Sequence, residues 1–267
     1  MRVINDIRSG VFILLCLSLT GCGNHWLSLS HSAPSSQKAE INMRLGLAYL
    51  QAGDNQRAKE KLLQAEQQSP QSATIKSAIG YFFTCIGEWE PAQTYHLKAL
   101  SLDRDAPAVH NNYGTFLCQR KRYTEAETHF LMAAKNNHYI NTAIAYENAG
   151  LCMLKAGRKQ DAIGYLNKAL TQNRNLEKSW FGLAQLYYQE NNYTQAKACW
   201  DHYQHLMVQP SAEALWLGIQ LSTHFNQLEQ AQKYAIRLHT QYPHSVQYAT
   251  LVSTYPELAH TKKSLYL

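Results

Sequence analysis

From Ala39 onward, small and large apolar residues return at a fixed distance, with polar residues between them at helical spacing. Gly46, Gly80, Gly114, Gly150 and Gly218 form one column, with Ala184 in the vacant place, at intervals of 34, 34, 36, 34 and 34. Ala58, Ala92, Ala126, Ala162, Ala196 and Ala231 form a second, at intervals of 34, 34, 36, 34 and 35. Three residues after each member of the first column stand Tyr49, Phe83, Leu117, Met153, Tyr187 and Leu221. Four residues after the alanines stand Leu62, Phe130, Leu166 and Trp200, with His96 as a departure. Between the columns lie turn residues: Ala52-Gly53-Asp54, Ile86-Gly87-Glu88, Lys155-Ala156-Gly157 and Glu190-Asn191-Asn192. A Gly or Asn there supplies the left-handed residue that ends a helix. Each period predicts two helices of about three to four turns. The small residue of the first helix admits the second, and the alanine of the second admits the next unit.

A period of 34 held by two small-residue columns over six copies resembles the tetratricopeptide repeat, TPR. The pattern predicts an all-α TPR superhelical solenoid of about six helix-turn-helix repeats: 39–72, 73–106, 107–142, 143–176, 177–210 and 211–245. Pro70 and Pro243 close the first and last. The third repeat carries two extra residues near Asn136-Asn137-His138-Tyr139, and the sixth carries one before Ala231. A solenoid must cover its last apolar face. Residues 246–267 are therefore read as a C-terminal cap and tail, built on Val246, Ala249, Leu251 and Val252 and fraying from His260. The concave face of such a solenoid is lined by first helices and holds a segment of another protein. Its phase selects Met43, Leu47 and Leu50; Ser77, Tyr81 and Thr84; Asn111, Thr115 and Gln119; Glu147, Leu151 and Lys155; and Phe181, Gln185 and Tyr188.

Composition agrees. Apolar residues make up 45% of the chain, with only 7 Pro and 13 Gly among 267 residues, which suits a helical core. The net charge of +6 is spread over dispersed Lys and Arg. With no basic run, no RNP-like aromatic motif and no finger spacing, the footprint of nucleic-acid binding is missing. Nor is there a GxSxG, HExxH, P-loop or Rossmann fingerprint. His202 and His205 share a helix face without a third metal ligand nearby. The expectation is a protein without catalytic residues, cofactor, metal or small-molecule substrate.

The N-terminus carries an address. Arg2 and Arg8 precede an apolar run from Val11 to Leu19, followed by Leu19-Thr20-Gly21-Cys22. The charged start, short apolar stretch and small residues make a secretory signal, with a run too short to stay as a spanning helix. Leu-Thr-Gly-Cys resembles a bacterial lipobox, so residues 1–21 are expected to be cleaved and Cys22 to be lipidated. Removing them lowers the net charge to +5. Several acyl chains, at roughly 0.8 kcal/mol per buried CH₂, hold a protein stably. Gly23 rather than Asp after the cysteine implies export to the outer membrane. Ser-rich residues 22–38 read as a flexible tether, with Trp26 and Leu27 close to the anchor.

In an oxidising compartment Cys85, Cys118, Cys152 and Cys199 remain. Cys118 and Cys152 fall near the ends of neighbouring first helices, 34 residues apart, and their bridge would tie repeats three and four. Cys85 and Cys118, 33 apart, form a competing pair, and two buried thiols are the plain alternative.

NNYGTFLCQRKRYTEAETHF (Asn111 to Phe130), AYENAGLCMLKAGR (Ala145 to Arg158) and EALWLGIQL (Glu213 to Leu221) resemble the PilF/PilW type IV pilus biogenesis lipoproteins. Asn42, where the repeat usually has an aromatic residue, departs from the pattern. The resemblance implies a non-catalytic outer-membrane lipoprotein facing the periplasm, a pilotin. It would bind the pilus secretin subunit and promote its localisation and multimerisation. A TPR lipoprotein scaffold for barrel assembly or peptidoglycan enzymes shares fold and address and differs in partner. A periplasmic enzyme or chaperone is the reading from another class.

Overall fold

The computed structural model describes residues 34–136 and 138–259. Within them the chain is helical throughout, as the repeat columns predict. Six pairs follow one another: α1 (Pro34–Gln51) with α2 (Asn55–Gln68), α3 (Ala73–Ile86) with α4 (Trp89–Leu102), and α5 (Pro107–Gln119) with α6 (Tyr123–Ala134). Then come α7 (Thr142–Lys155) with α8 (Lys159–Gln172), α9 (Glu177–Gln189) with α10 (Tyr193–Leu206), and α11 (Ala212–His224) with α12 (Leu228–Gln241). Two short helices, α13 (Val246–Thr254) and α14 (Pro256–Ala259), close the array. Among the described residues no helix is long and apolar enough to cross a membrane.

The columns explain the packing. Ala58, Ala92, Ala126, Ala162, Ala196 and Ala231 are all fully buried. The first-helix glycines are close-approach sites: a Cβ on Gly150 would lie 2.7 Å from the Leu166 side chain of its own repeat. Repeat five lacks this glycine. There Ala184 is itself buried, and Trp200 instead reaches Gly218 of the next repeat, where a Cβ would lie 2.8 Å from its ring. One apolar core therefore runs through the array, with each repeat packed on its neighbours. Asn42 does not disturb repeat one, because its amide donates to Gln68 at 3.1 Å across the helix pair.

The turns within repeats share one geometry. The N–H groups of Asp54, Glu88, Arg122, Arg158, Asn192 and Gln227 each reach back to a carbonyl five residues earlier. The residue before each has positive φ: Gly53, Gly87 and Gly157, but also Lys121, Asn191 and Asn226.

Three details differ from the sequence pattern. Helix α1 begins at Pro34, inside the stretch read as tether, because Pro is tolerated at a first helical position and Ala39 is already packed in the core. The rest of the tether, the signal segment and Cys22 lie outside the described residues. The two extra residues of repeat three shorten α6 to 12 residues, where the other second helices have 14. Tyr139 then packs on a small cluster of Ala133, Ala134 and Ala145, and Ile140 stands exposed. The cap rests on Leu251 and Leu258 with Tyr248 and Tyr255, whereas Val246 and Ala249 face solvent and Val252 is half-buried. Residues 260–267 lie outside the described residues.

Candidate functional site

First helices pack in succession, α1 on α3, α3 on α5, α5 on α7 and α7 on α9, and so form one face. The fifteen residues selected by the repeat phase all fall on these helices, but they divide into two sets. Met43, Leu47, Leu50, Tyr81, Thr115, Leu151, Phe181, Gln185 and Tyr188 are half-buried, and Gln119 and Lys155 are exposed at the helix ends. These eleven have surface to offer a partner. The face is apolar at the α1 end and mixed aromatic and amide at the α9 end.

Ser77, Thr84, Asn111 and Glu147 are buried and belong to the scaffold instead. The Thr84 hydroxyl donates to the Gly80 carbonyl at 2.8 Å and meets His96 inside repeat two. Ser77 accepts from Asn112 of the next first helix at 3.0 Å, and the Asn111 side-chain Oδ1 accepts from the Asn148 amide at 2.9 Å. Glu147 accepts from the backbone N–H of Ser179 at 3.1 Å and from its hydroxyl at 2.8 Å. Helix α9 has Leu176 at its N-cap position, a residue with no side-chain oxygen to offer. Glu147 of α7 supplies the missing acceptor to the first turn. Burial raises the Glu147 carboxyl above the ordinary carboxylate range, against the lowering effect of the Ser179 bonds. Ser77, Asn111 and Glu147 thus have a polar partner about one repeat away and join repeats, while Thr84 is held inside its own. Asn112, Asn148 and Ser179 escaped notice in the columns, yet their spacings of 35, 37 and 32 residues from their partners are near one repeat length.

The phenols of the face remain donors. Burial, then the neighbouring Cys85, pushes Tyr81 up to about 12, and burial with Tyr255 and Tyr193 raises Tyr188. Both can therefore give a hydrogen bond to a carbonyl of a docked chain across all physiological pH. Tyr188 also meets Tyr193 edge-on, with ring centroids 5.3 Å apart.

Cys118 and Cys152 are joined, with Cα atoms 5.8 Å apart, while Cys85 and Cys199 are free thiols. The bridge crosses from α5 to α7, near the C-terminal ends of both helices. His202 stacks on Trp180 at 4.3 Å between ring centroids, which places its imidazole in packing. Among the described residues no three His, Cys, Asp or Glu side chains gather as metal ligands.

Comparison with known proteins places the chain in a family. Tetratricopeptide repeat models match residues 30–80, 105–175 and 177–200. The type IV pilus assembly protein PilF of Pseudomonas aeruginosa is 32% identical over 244 residues, covering 91% of this chain and 96% of PilF. An uncharacterized protein of Haemophilus influenzae is 33% identical over 129 residues, covering 48% of this chain and 70% of its own. The solved Pseudomonas aeruginosa PilF structure superposes with a TM-score of 0.71 over 82% of this chain and 98% of that one. PilW, a type IV pilus biogenesis factor, shares the fold at 24% identity and a TM-score of 0.69, covering 81% and 99%. With the repeats, their packing and this likeness over nearly the whole chain, the protein belongs to the PilF family of type IV pilus assembly proteins.

Proposed function

We propose that the protein is a pilotin: a lipid-anchored outer-membrane protein that binds the type IV pilus secretin subunit and promotes its placement and multimerisation there. The observation that carries this reading is the likeness to PilF over 96% of that protein's length, in a chain that also carries Leu19-Thr20-Gly21-Cys22. A family of TPR proteins without a catalytic constellation works by holding other proteins. The open residues of the first-helix face suit that task. Met43 and Leu47 offer apolar anchorage, Phe181 and Tyr188 offer rings, and Tyr81 and Gln185 offer hydrogen bonds. Lipid at Cys22 would supply the address and the residues before α1 the reach. A secretin subunit held this way gains a high local concentration at one membrane, which favours ring assembly.

The test is a deletion strain complemented with wild type or Cys22→Ala. Membranes are fractionated and the heat- and SDS-resistant secretin multimer is quantified in each. The multimer is expected to vanish or stay in the inner membrane on deletion, with Cys22→Ala failing to restore its location. Unchanged amount and location on deletion would reject the secretin as partner and assign the same face to another envelope protein.

A further inference from the structure

The outer side of the array has furrows between neighbouring second helices, open cavities lying between α4 and α6 and between α10 and α12. Three residues after the alanine column, the later second helices carry Tyr95, His129, Tyr165, Cys199 and Tyr234. Three of these are phenols that reach back across a furrow. Tyr95 donates to Glu66 of α2 at 3.1 Å, Tyr165 to Glu127 of α6 at 2.7 Å, and Tyr234 to Gln204 of α10 at 2.6 Å. Where Cys199 stands, Trp180 of α9 takes the room, with its indole N–H donating to the Arg174 carbonyl at 2.9 Å.

In the furrow between α4 and α6 smaller imidazole rings stand in both places. His129 replaces the phenol, and Leu100 stands where α2 and α10 carry the acceptors Glu66 and Gln204. His110 occupies the place of Trp180: its Nε2 lies 2.7 Å from the Arg104 carbonyl, six residues back, as Trp180 lies from Arg174. A carbonyl there requires a proton on Nε2, so Nδ1 of His110 accepts from Nδ1 of His129 at 2.8 Å. The two imidazoles are held by each other and by the Arg104 carbonyl, beside an open cleft of about 780 Å³. Its walls are Leu97 and Met132, which are 47% and 49% exposed. Arg104 and Lys135 line its rim, and neither has an acidic partner among the described residues. Asp105 is the one acid lining the cleft, and nearby Glu125 is already paired with Arg122.

We propose that the α4–α6 cleft docks a segment of a partner protein that presents an aromatic side chain beside a carboxylate. In the equivalent furrows the chain sets its own larger phenol or indole where imidazoles stand here, so the added room suits a further ring. Met132 supplies a soft thioether for contact with such a ring. The two unpaired cations at the rim complement a carboxylate, and a charge-assisted pair there is stronger than a neutral one. The site lies between the second helices α4 and α6, with His110 of α5 also lining it, and does not depend on which partner the first-helix face holds.

The test uses the full folded chain with methyl-labelled methionine, titrated with acetyl-Phe-Glu-amide and, separately, acetyl-Phe-Gln-amide. The Met132 methyl and the His129 ring resonances report occupancy. Saturable shifts at both are expected with the Glu peptide, weaker by about fivefold or more for the Gln peptide and for Arg104→Glu. His129→Tyr, which restores the column residue, is expected to abolish them. Leu97→Glu, at an exposed position, should do the same with an unchanged melting curve, which separates occlusion of the cleft from misfolding. Absence of shifts at Met132, or shifts indifferent to Arg104→Glu and His129→Tyr, overturns the proposal. Shifts at Met132 produced by anionic phospholipid vesicles and by neither peptide would mark a lipid-facing surface and also overturn it.

Discussion

His96 is the one polar member of an apolar column, and acid should find it. Its side chain is fully buried, and its ring lies among Tyr113 and Phe116 at centroid distances of 5.6 and 5.5 Å. The Thr84 hydroxyl spends its proton on the Gly80 carbonyl, so the 3.1 Å contact with Nε2 of His96 is a bond donated by the imidazole. Nδ1 is then a bare lone pair, and it has no partner. Protonating it would bury a cation with nothing to receive its N–H, and burial accordingly pushes the imidazole down to about 3. In the unfolded chain the same ring titrates near 6.5. Below that pH the unfolded state takes up a proton that the folded state refuses, so stability is full above about 6.5 and falls by up to about 1.4 kcal/mol per pH unit beneath it. By pH 4.5 the loss is about 2.7 kcal/mol, or roughly 5–10 °C in melting temperature for a domain of this size. His96→Leu removes this term. Leu62 and Leu166 already occupy the same place against Gly46 and Gly150, so the cavity accepts leucine. Urea denaturation of both proteins at pH 7.5 and 4.5, at constant ionic strength, isolates the effect, because every other titrating group is common to the pair. The leucine variant is expected to match wild type within about 1 kcal/mol at pH 7.5 and to exceed it by a further 2–3 kcal/mol at pH 4.5. An equal loss in both proteins on acidification would refute the reasoning.

Other perturbations follow from the same geometry. Lys121 holds a φ of 60° at a turn where three repeats use glycine, so Lys121→Gly should raise stability by about 0.5–1 kcal/mol in chemical denaturation. Replacing Cys118 and Cys152 together by alanine opens a loop of 34 residues and should cost about 2–4 kcal/mol, read as the difference between oxidised wild type and the double variant. Glu147→Ala removes the borrowed cap of α9 and should cost about 1–2 kcal/mol. Glu147→Gln keeps an acceptor for Ser179 and removes a charge that burial disfavours. Because the folded carboxyl titrates above its unfolded value, the wild-type penalty grows as pH rises through that range, so the glutamine variant should equal or exceed wild type at pH 7.5 and gain nothing at pH 4.

Fold and packing were legible because they rest on residue size at a fixed interval. A glycine that must admit Leu166, or an alanine that must admit the next repeat, leaves no choice, and the same demand recurs six times. The place of Trp200 was not legible. The methyl of Ala184 sends it to Gly218 of the next repeat, an exchange between units that a column comparison treats as one conservative change. The candidate face was legible as a set of positions and not as a set of functions. Glu147 and Lys155 carry equal weight in the phase, yet the first closes the N-terminus of α9 and the second stands in solvent. What separates them is whether a polar partner lies one repeat away, and the helix that lacks a capping residue of its own shows where to look.

The middle of the array then explains how a chain with an inserted loop keeps one continuous face. Two extra residues shorten α6 and would let repeat four swing away from repeat three. Four links oppose this at the same junction. Cys118 is joined to Cys152 between first helices, and the Asn111 and Asn148 amides meet further along the same two helices. On the outer side Arg158 pairs with Glu127 of α6, and Tyr165 donates to the same carboxylate at 2.7 Å. Covalent and polar ties on both sides of the junction fix the angle between the repeats more firmly than either could alone. A face held in its bound shape loses little conformational freedom when a partner docks, and more of the contact energy then appears as affinity. Reduction of the bridge should therefore weaken partner binding at the first-helix face before it unfolds the array, and it should do so least for contacts confined to α1 and α3, which lie on one side of the joint.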